Sequence, residues 1–518
     1  MADRADTLIV GGGSAGCVLA ARLSEDPARI VTLLEAGPDL TADLASAPDV
    51  VRLAFGGVAV LDQLAALDWA FEAAGSATGP TIAVPRGRLI GGSGSINGTI
   101  FLRGTPEDFA SWSELVGPEW SWEHMLPAYR AIESDPVGAD VDHGRHGPIP
   151  IFHWPRDQWI ATQAAFHEAC VAAGYGTTDD HNAPAAMGVG AMPLNQRDGL
   201  RIGPSSGFLT PEVRARPNLR IVPLTTVRAI SIEGGRATGV VASGADGATT
   251  RFEAGEVILS AGAVVSPQLL LLSGIGPAGD LRALGIPVLA DVPGVGLGVR
   301  DHPKAWTQWR LRDGLGLSAE VPWLQLSARY TATGSDLRGD MMLYPNAVVP
   351  GDAPGSVDFR IEAVNNLQLS AGRLWLRSTD PTVKPAIDLR LLAEPRDRTR
   401  LADAVRRSLE LGRTRPLADL LDHVVLPAAD DLDSDAALDD YLDRTVMTGQ
   451  HISSGCRMGR ADDPLAVVDG EGRVRGVEGL RVIDSSIMPD SVRANIHATV
   501  LAMAWLMGGR MLGDRAPA

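Results

Sequence analysis

Cysteine is scarce in this chain: Cys17, Cys170 and Cys456 are the only three in 518 residues. They are too few for a disulfide framework and none belongs to a Cys-x-x-Cys pair, so a reducing, cytoplasmic setting is expected. Positive charge is also short. With 46 Lys and Arg against 63 Asp and Glu, the formal net charge is −17, which leaves no basic face for a phosphate backbone and argues against nucleic-acid binding. No apolar run approaches the roughly 18 residues of a membrane span, and the longest, around Val500 to Met507, reads as a buried helix. The segment before Gly11 lacks the apolar stretch of a signal peptide, so export is not expected. Lysine is nearly missing, with Lys304 and Lys384 alone among the basic residues; no function follows from that. The remainder is 45% hydrophobic and 21% charged, a globular composition long enough for two to four units of roughly 100–200 residues each.

The first chemical signal is Thr7-Leu-Ile-Val10, an apolar β-prone run that stops at Gly11-Gly-Gly13-Ser14-Ala15-Gly16 and continues into helical spacing from Cys17 to Ser24. In such a strand–turn–helix unit Gly11 permits the tight turn, Gly13 lets the backbone approach a pyrophosphate, and Gly16 lets helix and strand pack closely. A second strand, Ile30 to Leu34, ends in Glu35, 19 residues beyond Gly16, where a carboxylate accepts bonds from an adenosine ribose. This is a dinucleotide site for FAD or NAD. Two further passages stand out: Gly87 to Gly98, a glycine–serine loop able to lie flush against a ligand, and Gly262 to Gly276, where an apolar helix-length run is bounded by Ser266-Pro267 and Ser273-Gly-Ile-Gly276.

Together these passages resemble the glucose-methanol-choline (GMC) oxidoreductase family, FAD enzymes that oxidise alcohols, whose two signatures match Gly87–Ala110 and Gly262–Gly276. The resemblance extends to Asp68-Trp69, His143–Pro148, Asp301-His302-Pro303, Ser378–Asp388 and Gly479–Pro489, nearly the whole chain. It implies an α/β architecture: a Rossmann-like FAD-binding domain with a second α+β substrate domain built on an antiparallel sheet. The expected division is 1–155, 205–305 and 445–518 for the flavin, with 156–204 and 306–444 for the substrate. Alternating runs such as Trp323 to Tyr330 have the period of a half-buried sheet. Trp306, Trp309, Trp323 and Trp375 either pack it or line a pocket. Leu401 to Arg413 has helical spacing with arginines on a solvated side.

For the cofactor the resemblance implies Gly11, Gly13, Ser14, Ala15, Gly16, Glu35 and Ala36 on the ADP half. It adds Arg88, Gly92, Ser93, Asn97, Gly98, Thr99 and Ile100 on pyrophosphate and isoalloxazine, Val227 at the adenine, and Asp484 at the ribityl chain. The residue before Asn97, a histidine in members with covalent flavin, is Ile96, so the FAD is expected to be non-covalent. Catalysis falls by resemblance to His451, the likelier base, and His497, its partner. A neutral imidazole suits a hydroxyl proton because its ordinary pKa lies near neutrality. Ser454-Gly455 departs from the family's usual Gly-Thr, and Ala504-Trp505 from its Ala-Glu. His143 and His146, three apart beside Asp142, look like a family loop and not a metal site; no metal is expected. The expected activity is oxidation of an alcohol, as a dehydrogenase passing electrons to a quinone or redox carrier. An oxygen-using oxidase, a mycofactocin-linked dehydrogenase and a hydroxynitrile lyase are the alternatives.

Overall fold

The computed structural model describes residues 4–514 except 55–60, 316, 318–320 and 351–356. Ala5–Val10 is apolar and buried along nearly its whole length, as a strand covered on both faces must be. It lies at the centre of a parallel sheet, between Val31–Leu34 and the end of Thr249–Leu259, with Leu219–Val222 outside the former and Leu480–Val482 outside the latter. The strand Thr249–Leu259 then departs antiparallel with Arg236–Ser243, which pairs with Thr226–Glu233. Helices Ser14–Leu23 and His497–Leu512 pack together on one face. Glycine makes the approach possible, since a Cβ on Gly508 would lie 3.2 Å from the Arg22 side chain. Trp505, the departure from the family pattern, has the Arg22 guanidinium 4.2 Å above its ring.

The second large sheet runs Leu421–Leu426, Pro303–Leu311, Val357–Asn365, Met341–Pro350, Leu326–Tyr330 and Gly188–Ala191, antiparallel throughout, with Met447–Thr448 added beside Pro303–Leu311. Its strands alternate. Ala305, Trp309, Phe359 and Ile361 are buried on the face covered by helix Pro395–Gly412, where Gly412 lets the helix close on Trp309. The other face carries Lys304, Trp306, Glu362 and Arg360 in register. Arg406 stands solvated on the helix as expected, whereas Arg400, six residues earlier and just before that stretch, is buried against Asp340 at 3.0 Å.

A smaller five-stranded sheet joins Leu297–Val299, Gly372–Trp375, Ala386–Asp388, Phe71–Ala74 and Thr81–Val84, drawing on stretches that the resemblance assigns to different domains. The helix expected in the second signature spans Gly262–Leu272 and so begins before Pro267. Its start is set by Asp484, whose carboxylate accepts from the Gly262 N–H at 2.8 Å and the Ser266 hydroxyl at 2.6 Å. Among the described residues, no helix is long and apolar enough to cross a membrane. All three cysteines are buried and unpaired.

Candidate active site

The glycine turn is built as its sequence suggests. Gly11 has φ +102° and a Cβ there would meet the Ser260 carbonyl at 2.6 Å; one on Gly16 would meet the Gly11 carbonyl at 1.9 Å. Gly13 differs: its nearest neighbours would be 3.9 Å away, so its backbone faces open space at the mouth of a helix. Glu35 closes the far side, accepting from the Gly12 N–H through Oε2 and from the Gly37 N–H through Oε1, each at 2.8 Å. Burial pushes its carboxyl up to about 7 against the hold of those N–H groups.

These elements open into one cavity of about 1110 Å³, larger than the roughly 300–1,000 Å³ of a pocket for one small ligand. Gly11, Gly13, Ser14, Ala15, Glu35, Ala36, Arg88, Gly92, Ser93, Asn97, Gly98, Ile100, Val227 and Asp484 all line it. An open glycine face at a helix start, an acid at the next strand end and a long cavity beyond fit an extended dinucleotide such as FAD.

Three of the expected cofactor residues stand apart from the rest. Gly16 is spent on packing against Gly11 and does not line the cavity. Thr99 does not line it either: its hydroxyl donates to the Ala54 carbonyl at 3.2 Å and its φ of +59° turns the chain. Asp484 lines it, but its four acceptor positions are taken by Gly262 N–H, Ser266 Oγ, and the N–H and Oγ of Ser486, so it braces the turn. Arg201 was not foreseen. Its Nη1 donates to Asn97 Oδ1 at 2.6 Å, and burial lowers its pKa to about 9.

Both histidines line the same cavity. His497 opens the last helix. Its Nδ1 lies 3.2 Å from Ser14 Oγ, and its Nε2 is buried without a partner among the described residues; burial lowers its pKa to about 4. His451 is held by its backbone N–H on Asp301 Oδ1 at 2.9 Å, after Gln450 in the left-handed region at φ +68°. Burial, then the nearby His302, Arg86 and Lys304, hold His451 well below the usual imidazole range.

A chain of hydrogen bonds assigns the His451 tautomer. The Tyr344 hydroxyl donates to Asn495 Oδ1 at 3.1 Å, leaving Asn495 Nδ2 to donate to His451 Nε2 at 2.9 Å. A neutral ring with Nε2 accepting carries its proton on Nδ1, which then donates to His302 Nδ1 at 2.9 Å. His302 in turn donates from Nε2 to Ser491 Oγ at 2.8 Å. Burial lowers His302 to about 3, so both rings are neutral at working pH. Asp301 accepts the N–H groups of both histidines, and burial raises it to about 6. Asp301-His302 was visible as a motif, yet only the fold gives it a partner.

The His143 loop is a buried ion cluster. His143 reaches Glu133 Oε1 through Nδ1 and Asp180 Oδ2 through Nε2, each at 2.9 Å, while Arg103 pairs with Glu133. Burial opposes the charged ring, but the bonds to Asp180 and Glu133 prevail and hold it up to about 9. His146 is exposed and does not converge with it. Glu133, Asp135 and His143 offer ligand atoms within 4.8 Å of one another, but the ring nitrogens are committed to carboxylates and Glu133 to Arg103.

The family model for GMC oxidoreductases matches residues 5–304 in its N-terminal part and 368–504 in its C-terminal part. The chain is 36% identical over 520 residues to pyridoxine 4-oxidase of Microbacterium luteolum, covering 96% of this chain and 98% of that one. It is 33% identical over 566 residues to oxygen-dependent choline dehydrogenase of Ectopseudomonas mendocina, covering 100% and 95%. The crystal structure of a pyridoxine 4-oxidase from Mesorbium loti superposes with a TM-score of 0.91 at 33% identity, over 99% of this chain and all of that one.

Proposed function

The chain belongs to the GMC oxidoreductase family, FAD-dependent enzymes acting on alcohol-type substrates, and from that premise we propose that it oxidises a CH–OH group to a carbonyl with His451 as base and His497 as its partner. The observation that carries this reading is that His451, with Nε2 accepting, and His497, whose Nε2 has no partner among the described residues, line one cavity. The flavin, when bound, supplies the acceptor for the hydride.

The protein's own residues handle the proton. In the absence of substrate the Asn495 amide bonds to His451 Nε2; a substrate hydroxyl takes that place and gives its proton there. His497, freed from competition by its empty Nε2, bonds to the substrate oxygen and orients the carbinol carbon toward the flavin face. Burial makes both rings weak bases, so they stay neutral and available. The proton gained at Nε2 is shared through Nδ1 with His302 and from there with Ser491, beside the Asp301 carboxylate. Bound FAD would be held by Arg88, Gly92, Ser93, Asn97, Gly98 and Ile100 at the ring system, by Gly13 with Ser14 and Ala15 at the pyrophosphate, by Glu35 and Ala36 at the ribose and by Val227 at the adenine. With apolar Ile96 before Asn97, the FAD is non-covalent, and acid precipitation is expected to release it into solution.

The electrons pass to a quinone or another carrier. Oxygen as acceptor is the second reading, favoured by the names of the pyridoxine 4-oxidase and oxygen-dependent choline dehydrogenase relatives. Anaerobic flavin absorbance against alcohols, sugars and cyanohydrins, followed by air, tests the whole scheme. Bleaching by an alcohol supports it, with slow return of colour in air for a dehydrogenase and prompt return for an oxidase. Cleavage of cyanohydrins over an unbleached flavin would overturn it in favour of a lyase.

A further inference from the structure

The cavity continues past the histidines onto the open face of the antiparallel sheet, where Lys304, Glu362, Arg360, Tyr344 and Asn346 line it. Register orders these side chains. Tyr344 stands opposite Glu362, and Asn346 opposite Arg360. Tyr344 marks the reacting end, because its hydroxyl bonds to Asn495, so Asn346 and Arg360 lie two residues further along, about 7 Å at the usual strand rise.

Charge and hydrogen bonding on this face are unbalanced at that far step. Lys304 is matched by Glu362 at 3.3 Å. Arg360 has no carboxylate within ion-pair distance among the described residues: Nε and Nη2 both donate to Gln308 Oε1 at 3.3 and 2.8 Å, and the guanidinium lies 4.8 Å over the Trp306 ring. Its Nη1 edge is uncommitted. Beside it Asn346 is 1% exposed, and neither Oδ1 nor Nδ2 of its amide has a partner among the described residues. Buried amides are almost always bonded, and this one lies in a cavity wall next to an unmatched cation. Trp323, whose ring lies 3.3 Å from where a Gly98 Cβ would stand, walls the space between loop and sheet.

We propose that Arg360 and Asn346 form a distal substrate subsite for a carboxylate, so that the preferred substrates are alcohols carrying a carboxylate about one strand repeat from the reacting hydroxyl. The guanidinium takes the charge and the Asn346 amide donates to the same group. A cationic alcohol is disfavoured at this step, since it would face Arg360 while Glu362, the carboxylate that lines the cavity on this face among the described residues, is held by Lys304, and Asp358 further along the same face is buried and bonded to Gln308 and Arg310. The proposal rests on the alcohol-oxidation reading above.

The test uses the FAD-loaded protein and alcohols of one shape: 4-(hydroxymethyl)benzoate, its benzamide, its protonated benzylamine, and benzyl alcohol. Anaerobic flavin reduction is expected to favour the benzoate over the benzamide by roughly 10-fold in rate over dissociation constant, and over the amine by more. R360Q should erase that preference with the flavin spectrum retained, and R360K should restore part of it. A readout independent of turnover is calorimetric binding of 4-methylbenzoate, expected to be roughly 10-fold tighter than 4-methylbenzamide and to lose that margin in R360Q. Bleaching by benzyl alcohol with no carboxylate preference, or a preference that survives R360Q, overturns the subsite and leaves the oxidation reading standing. Flavin left oxidised by all four alcohols overturns the oxidation reading itself.

Discussion

The Nδ1 atoms of His302 and His451 lie 2.9 Å apart and share one proton, so the two rings act as a single acid–base unit whose accepting atom is His451 Nε2, bonded to Asn495 Nδ2 until a substrate hydroxyl replaces it. His302 touches neither cavity nor substrate and is a positioning residue. His302→Ala removes the acceptor that keeps the His451 proton on Nδ1, and the flavin-reduction rate is expected to fall by about 10- to 100-fold with its pH profile displaced. His302→Asn, which can offer an oxygen near the Nδ1 position, should recover much of the rate. Equal losses in both variants with an unmoved profile would remove His302 from this role.

His451 itself is expected to carry more. His451→Ala should keep yellow FAD yet lose roughly two to four orders of magnitude in flavin reduction. Stopped-flow reduction at near wild-type speed would disprove His451 as the base.

Glu35 links cofactor retention to pH. Its carboxylate must be ionised to accept from two ribose hydroxyls, and burial raises its pKa to about 7. Protonation therefore competes with FAD, and the FAD dissociation constant is expected to rise as pH falls through 7. Fluorescence titration of apoprotein between pH 8 and 6 measures this. Glu35→Gln should bind FAD more weakly and with no such slope; a slope retained in that variant would assign the titration elsewhere.

His143 does the opposite for stability. Its folded pKa is raised to about 9 by Asp180 and Glu133, so the stability it adds is fully present below the ordinary imidazole value of about 6.5 and lost as pH rises through 9. His143→Gln should lower the melting temperature most at pH 6 to 7, and the gap from wild type should narrow toward pH 10. A gap independent of pH would mean that shape, and not charge, is what the cluster needs.

The glycine turn and Glu35 were legible because their signals are local: a strand, a turn and a helix follow one another, and each glycine has a separate steric duty; the two histidines were reached only through the family resemblance. Asn495, Tyr344 and Arg201 were given no role and His302 was visible only as part of a motif, since the partners of all four lie far along the chain. Thr99 was expected at the cofactor from its place in a glycine-rich loop, and membership of such a loop does not reveal which way a side chain faces; its hydroxyl bonds to the Ala54 carbonyl. The early start of helix Gly262–Leu272 was hidden for a similar reason, its cap being a carboxylate 218 to 222 residues away. Trp323 shows the reverse limit: alternation placed it on the sheet region without saying whether it packed or lined the cavity, and it lines the cavity while Trp309 is core.

The parallel sheet under the cofactor cradle has a consequence for biogenesis. Leu480–Val482 is its outer strand beside Val257–Leu259, and all of the antiparallel sheet except Gly188–Ala191 is synthesised between the two. At roughly 5–20 residues per second of translation, the glycine turn leaves the ribosome tens of seconds before the strand and histidines that complete its surroundings. Flavin capture is therefore expected to wait for the finished polypeptide, and a nascent chain stalled before Leu480 is expected to emerge without its colour.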